Sequence, residues 1–219
     1  VDGEHCPIGD EALKRILIAS KGYDTSIIYR VRENNPGLIK IALDLGVDGL
    51  MIPMVNTQQE AQAAVSASRY PPQGKRGIGP WRASNYYEDY VDYVAQANKK
   101  ISIILQIEDV DALSQLDQIL EVPGFDAVFI GPADLTASLG LFPNTEHSQV
   151  EQTINEIVQA CKKASMPIGI DASDLTYIQR MSAKGLQFFT YGMDISYLIE
   201  GARNASTSAK ELLSTADTK

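Results

Sequence analysis

The chain has 219 residues, of which 44% are hydrophobic and 21% are charged, a balance typical of one soluble globular domain rather than of a disordered or fibrous protein. It carries 19 Lys and Arg residues against 28 Asp and Glu residues, and the net charge of −9 argues against nucleic acid or an anionic membrane as a partner. Cys6 and Cys161 cannot form a disulfide framework, and no apolar run reaches the roughly 18 residues of a membrane span, so we predict a cytoplasmic protein.

Short apolar runs alternate with segments of helical spacing along the chain, a pattern typical of a parallel sheet covered by helices. The predicted strands are 26–30, 48–53, 101–108, 126–130, 167–170 and 187–192. The predicted helices are 10–19, 36–45, 57–69, 110–120, 149–164, 175–183 and 195–213. Asn35-Pro36 and Asn56-Thr57 have residue types typical of helix starts.

Two segments stand outside this alternation. Residues 71–90 are rich in Gly, Pro and aromatic residues, and we expect a long loop near a site or a subunit interface. Residues 206–219 become small and polar, so we predict a C-terminal tail with a frayed end. No linker divides the chain, which predicts a single domain over 1–219.

The length favours a particular α/β architecture. A (β/α)₈ TIM barrel needs about 250 residues, or roughly 31 per unit, so this chain corresponds to about seven units. The six predicted strands and a strand stub at residues 1–2 also make seven. We therefore predict a TIM barrel whose first βα unit is absent from this sequence. A doubly wound open sheet is the alternative, although no Gly-rich phosphate fingerprint follows any strand.

Polar residues follow the predicted strand ends, where a barrel carries its functional groups. They are Asp2, His5, Arg30, Gln106, Glu108 and the run Gly131-Pro132-Ala133-Asp134.

Two of these residues predict a metal site. Glu108 and Asp134 follow neighbouring strands, and two bare carboxylates aimed at one spot would repel each other. A divalent cation removes that cost, and two carboxylates with waters and a chelating substrate make a typical Mg²⁺ or Mn²⁺ site. The alternative is that Glu108 caps the helix near Val110 and Asp134 caps a turn before Leu135. Their joint placement favours the metal.

Arg30 would place a fixed cation at the barrel mouth, where a guanidinium holds a carboxylate and stabilises a developing enolate. A rim salt bridge is the structural alternative. Arg32 lies two residues further on and faces the same way in an extended segment, so the pattern leaves the choice between them open.

His5 has Asp2 three residues before it, which predicts an acid–base pair in which the carboxylate orients the imidazole. A lone histidine is more often structural, and we expect that role for His147, as a solvated loop residue or a helix cap.

Together these residues resemble the metal-dependent, class II pyruvate aldolases of the HpcH/HpaI aldolase family, such as the 4-hydroxy-2-oxo-heptanedioate and 2-keto-3-deoxy-glucarate aldolases. The resemblance rests on motifs spread over almost the whole chain: Asp2-Gly3-Glu4-His5, Arg30 preceding Asn35-Pro36, Ile52-Pro53-Met54-Val55, Arg69-Tyr70-Pro71-Pro72 with Arg76-Gly77, Gln106-Ile107-Glu108, Gly131-Pro132-Ala133-Asp134-Leu135 and Gly192-Met193-Asp194.

This resemblance implies a barrel of the phosphoenolpyruvate/pyruvate-domain type. Glu108 and Asp134 would bind the divalent metal, Mg²⁺ or Mn²⁺ with Co²⁺ or Zn²⁺ as alternatives, and pyruvate would chelate it. Arg30 rather than Arg32 would contact the keto oxygen, and Gln106 would line the pyruvate pocket.

The resemblance also assigns the remaining site residues. Backbone amides around Ala133 and Asp134, in the run that begins with Gly131 and Pro132, would hold the pyruvate carboxylate. The pair Asp2 and His5 would handle protons through water.

The activity implied is reversible cleavage of a 4-hydroxy-2-oxo acid to pyruvate and an aldehyde. No lysine follows a predicted strand, which argues against the Schiff-base aldolases. Oxaloacetate decarboxylation or acyl-CoA lyase chemistry is the alternative, with Lys75 and Arg76 as thin support for coenzyme A. An inactive barrel fragment with a structural role is another.

The resemblance further implies a homo-oligomer, a trimer or a hexamer, with the long loop and the C-terminal helix at subunit contacts. The loop residues Trp81, Tyr86 and Tyr87 either shape the aldehyde pocket or pack at an interface, and we favour the interface.

Overall fold

The computed structural model describes residues 1–216, and its centre is a curled sheet of six parallel strands. Each strand hydrogen-bonds to the next one along the chain, in the order β1 to β6. The strands are β1 Ile28–Arg30, β2 Gly49–Ile52, β3 Ser102–Ile107, β4 Ala127–Ile130, β5 Ile168–Ala172 and β6 Phe188–Tyr191. All six predicted strands are present, and the alternation with helices is confirmed.

Nine helices and a 3₁₀ segment are found among these residues. The helices are α1 Asp10–Ala19, α2 Pro36–Leu45, α3 Gln58–Ser68, α4 Tyr90–Lys100, α5 Leu116–Leu120, α6 Pro132–Ser138, α7 Ser148–Lys163, α8 Leu175–Ala183 and α9 Asp194–Ala216, and the 3₁₀ segment Val110–Gln115 precedes α5. No helix within residues 1–216 is long and apolar enough to cross a membrane.

The strands bury side chains on both faces. Leu50 and Ile52 of β2 belong to the main core, which includes residues of the surrounding helices. Met51, between them, points to the inner face and packs with Ile104 and Phe129 in a second cluster. Because side chains alternate along a strand, this pattern fixes which residues of every strand face the inside of the curl.

Residues 1–3 lie along the edge of β1. Asp2 forms a parallel bridge with Arg30, the Gly3 N–H donates to the Arg30 carbonyl at 2.9 Å, and the Arg30 N–H donates to the Val1 carbonyl at 2.9 Å. The strand stub predicted at residues 1–2 is therefore present as a bridge.

Several sequence-based boundaries are wrong. Helices α4 and α6 were not predicted, and the single helix expected over 110–120 is divided between the 3₁₀ segment and α5. The polar tail expected over 206–219 is helical as far as Ala216, because α9 continues to that residue, and residues 217–219 lie outside the described part of the chain.

The long loop ends at Asp89, since α4 begins at Tyr90. Its Arg82 Nη1 donates to the Leu45 carbonyl at 2.6 Å, at the end of α2. The end of α2 leads into the start of β2, so this loop lies at the amino ends of the strands. Of the two places expected for this loop, it does not adjoin the mouth of its own chain, and a place at a subunit interface stays a prediction.

The aromatic residues of this loop stay with it at that end of the sheet. The rings of Trp81 and Tyr86 pack edge to face with centroids 5.2 Å apart, and Lys14 of α1 lies 5.9 Å from the Trp81 ring. Trp81, Tyr86 and Tyr87 are each about half exposed. They do not line the carboxyl ends of the strands of their own chain.

Candidate functional site

Three of the predicted polar residues, Arg30, Gln106 and Glu108, lie on the inner face at the carboxyl ends of the strands. Gln106 lies two residues beyond the inner residue Ile104, and it pairs in register with Phe129 of β4. Arg30 lies two residues beyond Ile28, which also packs on the inner cluster. The alternation that buries apolar residues lower in the curl therefore carries these polar groups to its mouth.

Glu108 follows β3 and is only 2% exposed. Its Oε1 accepts a hydrogen bond of 2.8 Å from the backbone N–H of Met54, and Gln106 Nε2 donates to its Oε2. The alternative that Glu108 caps the following helix is wrong. Asp109 fills that position, because its Oδ1 accepts from the Asp111 N–H at 2.9 Å.

Burial dominates the titration of Glu108. It raises the pKa of Glu108 to about 7, against the Met54 hydrogen bond, and the negative charges of Glu4 and Asp134 act in the same direction as burial. Glu108 is therefore a buried carboxyl group whose nearest charged neighbours include two more carboxylates.

Asp134 stands in the first turn of α6 and is exposed. The N-cap position of α6 belongs to Gly131, which makes no side-chain cap bond, so Asp134 does not cap the helix. Its charge raises the pKa of both Glu4 and Glu108. Asp134 forms no ion pair within residues 1–216 and remains available at the mouth.

Gly131 lets β4 approach the Glu108 side chain closely. A Cβ on Gly131 would lie 2.5 Å from Glu108 Oε2 and 2.9 Å from Gln106 Nε2, so any side chain at this position would force these two groups to move. The glycine thus permits the present position of the Glu108 carboxylate.

Arg30 is held by two acids at the start of the chain. Its Nε and Nη2 donate to the two Asp2 oxygens at 3.0 and 2.8 Å, and its Nη1 lies 3.0 Å from Glu4 Oε2. Although burial opposes it, the hydrogen bonds and charge of Arg30 lower the pKa of Asp2. Arg32 instead lines a separate cavity of about 240 Å³ with Ile8, so the structure brings Arg30 and not Arg32 into this group.

The expected side-chain pair of Asp2 and His5 is not formed. The Asp2 carboxylate is occupied by Arg30, and from His5 it accepts a hydrogen bond of the backbone N–H, at 3.3 Å, and none of the ring. The His5 ring is instead 3.4 Å from Glu4, measured from Nε2 to Oε2. The parallel bridge between Asp2 and Arg30 explains the difference, because it sets their side chains next to each other.

Glu4 and Met54 were missed as site residues by the sequence reasoning. Burial raises the pKa of Glu4, whose side chain is 15% exposed, while Arg30 and His5 oppose that shift. Glu4 could have been found from its position two residues after Asp2, because that spacing sets both side chains on one face of an extended segment. Met54 contributes a backbone N–H and has a φ of 54°, an uncommon conformation that a methionine in the sequence does not predict.

Two other predicted groups lie away from the mouth. His147 caps α7, its Nδ1 accepting the Gln149 N–H at 3.2 Å, as expected for a structural histidine. Arg76 is buried, pairs with Asp44 at 2.7 Å and stacks on the Tyr70 ring at 4.3 Å. It is therefore not placed to bind the phosphates of coenzyme A at the mouth.

The donor set fits a cation with an open coordination sphere. Within residues 1–216 no group of three or more His, Cys, Asp or Glu side chains could hold a metal ion. Glu108 and Asp134 supply two carboxylates, and a hard divalent cation accepts two protein oxygens with waters or substrate oxygens in its other positions. The buried charge of Glu108, beside further carboxylates, favours a cation here.

Comparisons with known proteins show which family of proteins this chain resembles. Residues 1–201 match the family described as HpcH/HpaI aldolase/citrate lyase. A 2-keto-3-deoxy-L-rhamnonate aldolase of Salmonella paratyphi A is 39% identical over 220 residues, covering 100% of this chain and 82% of that protein. A 5-keto-4-deoxy-D-glucarate aldolase of Salmonella paratyphi A (strain ATCC 9150 / SARB42) is 40% identical over 207 residues, covering 94% of this chain and 79% of that protein.

The same likeness holds for three-dimensional structure. The crystal structure of an HpcH/HpaI aldolase/citrate lyase family protein from Burkholderia cenocepacia J2315 has a TM-score of 0.89 and 32% sequence identity, covering 96% of this chain and 84% of that chain.

Proposed function

The chain belongs to the HpcH/HpaI aldolase/citrate lyase family, and from that premise we propose that it cleaves a 4-hydroxy-2-oxo acid reversibly into pyruvate and an aldehyde. The family resemblance predicted from the sequence is confirmed, and the protein is a carbon–carbon lyase. The observation that carries the proposal is the buried carboxylate of Glu108. Its charge interacts with that of Asp134 and with that of Arg30 across the mouth.

Glu108 and Asp134 would hold a divalent cation, Mg²⁺ or Mn²⁺ first and Co²⁺ or Zn²⁺ as alternatives. When bound, such a cation supplies positive charge that polarises a carbonyl oxygen and offsets developing negative charge. Hydrogen bonds from Met54 and Gln106 fix the orientation of the Glu108 carboxylate before any ligand binds.

Arg30 stabilises the charge that cleavage creates. When the bond between C3 and C4 breaks, the proton of the C4 hydroxyl leaves to a base and the electron pair stays with the three-carbon fragment as an enolate. The Arg30 guanidinium contacts the enolate oxygen, and its contacts with Asp2 and Glu4 hold it in place. Protonation at C3 then gives pyruvate.

The other groups bind the substrate or pyruvate. Gln106 Oε1 is buried and has no hydrogen-bond partner in the described protein, so it is available to accept from a bound water or from the C4 hydroxyl of the uncleaved substrate, since pyruvate itself has no donor. The backbone N–H groups of Ala133 and Asp134 lie in the first helical turn after Gly131 and Pro132, where no acceptor within the helix exists for them. They bind the pyruvate carboxylate.

Proton transfer belongs to His5 through water. Its ring is largely exposed at the mouth, and Glu4 is the acid beside it, whereas Asp2 orients Arg30. Oxaloacetate decarboxylation would use the same residues, and no contact within residues 1–216 favours it as the main activity.

We infer further that the six strands and residues 1–3 belong to a (β/α)₈ barrel of the phosphoenolpyruvate/pyruvate-domain type, which the likeness to solved relatives supports. The absence of a first βα unit from this sequence and the single-domain organisation over 1–219 stay predictions. The free thiols of Cys6 and Cys161 support a reducing, cytoplasmic compartment.

A homo-oligomer, a trimer or a hexamer, is supported by α9. Ile195, Leu198 and Ile199 share one face of this helix and are between 42% and 65% exposed. Exposed apolar faces of this kind mark protein–protein contacts. The loop over 71–89, with its half-exposed aromatic residues, is the second surface we assign to subunit contacts.

Pyruvate release with and without EDTA tests the function. We expect chelation to abolish release and Mn²⁺ or Mg²⁺ to restore it, and activity that survives chelation would remove the metal role. Glu108→Ala and Asp134→Ala should each lower metal-dependent activity by more than about 100-fold. His147→Ala is the control, with nearly unchanged activity because His147 only caps α7.

Wild-type rates in the two carboxylate variants would contradict the site. A folded oligomer that binds no divalent metal and releases no pyruvate would instead favour the structural role.

A further inference from the structure

A second polar pair lies at the carboxyl ends of the last two strands. Thr190 Oγ1 donates a hydrogen bond to Asp171 Oδ1, and the two residues are paired in register between β5 and β6. Both are exposed. The proposed aldol chemistry, as described so far, uses neither of them.

The pair stands on the inner face of the curl. Phe188, two residues before Thr190, packs on the inner cluster, and its ring lies 5.9 Å from that of Phe129. Gly169, two residues before Asp171, adjoins the same Phe188 ring, on which a Cβ would clash at 2.5 Å. Because side chains alternate along a strand, Asp171 and Thr190 therefore lie on the inner face, next to the rings of Phe129 and Phe188 on the side of the carboxyl ends.

The pair is also close to the catalytic carboxylate. Ile130 of β4 pairs in register with Ile170 of β5, so the next inner residues, Gly131 and Asp171, are neighbours. Gly131 touches Glu108 on its other side. Two strand spacings of about 4.8 Å separate the Glu108 and Asp171 backbones, a gap of about 10 Å that the far half of a substrate bound at Glu108 can enter.

The charge around this gap is one-sided. No Lys, Arg or His side chain within residues 1–216 forms an ion pair with Asp171. Glu4, Glu108 and Asp134 lie at the same mouth, and Arg30 is already paired with two acids. An aldehyde that ends in a carboxylate would meet this negative field without a counter-charge.

A hydroxyl group meets better partners there. An ionised carboxylate only accepts hydrogen bonds, and it has room for several donors in addition to Thr190. A substrate hydroxyl can donate to Asp171 and accept from the Thr190 hydroxyl after a small rotation. A neutral, hydroxyl-bearing chain therefore fits the pair in both charge and hydrogen bonding.

We propose that Asp171 and Thr190 form the aldehyde subsite and that they select neutral hydroxyaldehydes over aldehydes that carry a carboxylate. The substrate is then a 4-hydroxy-2-oxo acid with one carboxylate rather than two. This inference rests on the proposed aldol function.

Aldol condensation of pyruvate with different aldehydes tests the subsite. In this reaction pyruvate C3 loses a proton, a bond forms between C3 and the aldehyde carbon, and the aldehyde oxygen takes up a proton. We expect kcat/KM for D-glyceraldehyde or glycolaldehyde to exceed that for succinic semialdehyde or glyoxylate by about tenfold or more.

Asp171→Asn should lower that ratio by about tenfold, chiefly by raising kcat/KM for the aldehydes that carry a carboxylate, because the amide keeps the size and removes the charge. Thr190→Val should lower kcat/KM for the neutral hydroxyaldehydes, because valine cannot donate a hydrogen bond to their hydroxyl group. Asp117→Asn, which changes an exposed carboxylate of α5, is the matched control and should keep the wild-type ratio.

Deuterium exchange into the pyruvate methyl group tests the proposed aldol function separately from the aldehyde subsite, because the exchange needs no aldehyde. Metal-dependent exchange by the wild type, with a ratio that Asp171→Asn leaves unchanged, would overturn the subsite alone. No exchange by the wild type would overturn the aldol function and the subsite with it.

Discussion

A carboxylate as buried as that of Glu108 destabilises a protein unless positive charge lies beside it. Arg30, the guanidinium at this mouth, directs its donors to Asp2 and Glu4 rather than to Glu108. Within residues 1–216 the Glu108 carboxylate thus forms no direct ion pair: it receives hydrogen bonds from Met54 and Gln106, and the charge of Arg30 attracts it only from a longer distance. A divalent cation supplies the missing charge, so the binding of the metal and the stability of the site are linked.

The pH dependence of metal binding follows from this residue. Burial raises the pKa of Glu108 to about 7, so in the metal-free protein a proton and a cation compete for the same oxygens near neutrality. The apparent affinity for Mn²⁺ should rise as the pH rises through about 7 and then level off. Calorimetric titration in two buffers of different ionisation enthalpy measures the affinity and the proton release together.

An affinity for Mn²⁺ that stays constant between about pH 6 and 8, with no proton released, would contradict this competition. Glu108→Gln provides the control, because the amide cannot bind a proton in this range and its residual affinity should not change with pH.

Gly131 provides a second test at this scale. In Gly131→Ala the new Cβ would lie 2.5 Å from Glu108 Oε2, so the carboxylate must move. We expect the affinity for Mn²⁺ and kcat/KM to fall by about 10- to 100-fold, as for other residues that orient a metal ligand. Gly79→Ala is the control, since no atom lies within 4 Å of its added Cβ. Wild-type metal affinity in Gly131→Ala would show that the close approach is unimportant.

Several residues at the mouth were predictable from the sequence, but Glu4 and Met54 were not, nor was it predictable which residues touch. Glu108, Asp134 and Arg30 each follow an apolar run, and a parallel sheet brings such ends together. The contact of Asp2 with Arg30 instead of His5 depends on a bridge between segments 28 residues apart in sequence. Local spacing between Asp2 and His5 carries no information about that bridge.

At the scale of elements, the strands were easier to predict than the short helices. The six strands are short apolar runs, several of them buried on both faces, and this gives a strong signal. Helix α6 has seven residues, too few to show a helical period. In α4 only Ala97 is fully buried, so its apolar face is weak in the sequence.

The prediction for a single element concerns helix α9 and the oligomeric state. Leu198→Asp and Ile199→Asp would place a charge on the exposed apolar face that we assign to a subunit contact. We expect light scattering to show a trimer or hexamer for the wild type and a smaller species for either variant, because burying an unpaired charge is costly. Asn204→Asp, on the opposite face of α9, should keep the wild-type mass. A monomeric wild type would contradict the assignment.

At the scale of the whole molecule, the strand order brings the residues of the proposed site together. Because the six strands pair in chain order, residues from β1, from the ends of β3 and β4 and from the first five positions of the chain meet at one mouth. The long loop lies at the other end, against the end of α2. Its composition predicted a place near a site or an interface, and the choice between the two depends on packing that composition does not encode.

The distribution of charge also belongs to this scale. The chain has a net charge of −9, and its mouth carries the acids Asp2, Glu4, Glu108, Asp134 and Asp171, of which Asp2 and Glu4 pair with Arg30. Such a mouth binds an anionic keto acid only with a cation in place. The acidic composition and the proposed requirement for a metal are two aspects of one electrostatic arrangement.

Anomalous diffraction from crystals grown with Mn²⁺ and pyruvate is the most direct test of this account. We predict one manganese peak bonded to an oxygen of Glu108 and an oxygen of Asp134, with pyruvate chelating the ion and Arg30 on its keto oxygen. A manganese ion held elsewhere, or pyruvate bound away from Arg30, would contradict the central claim.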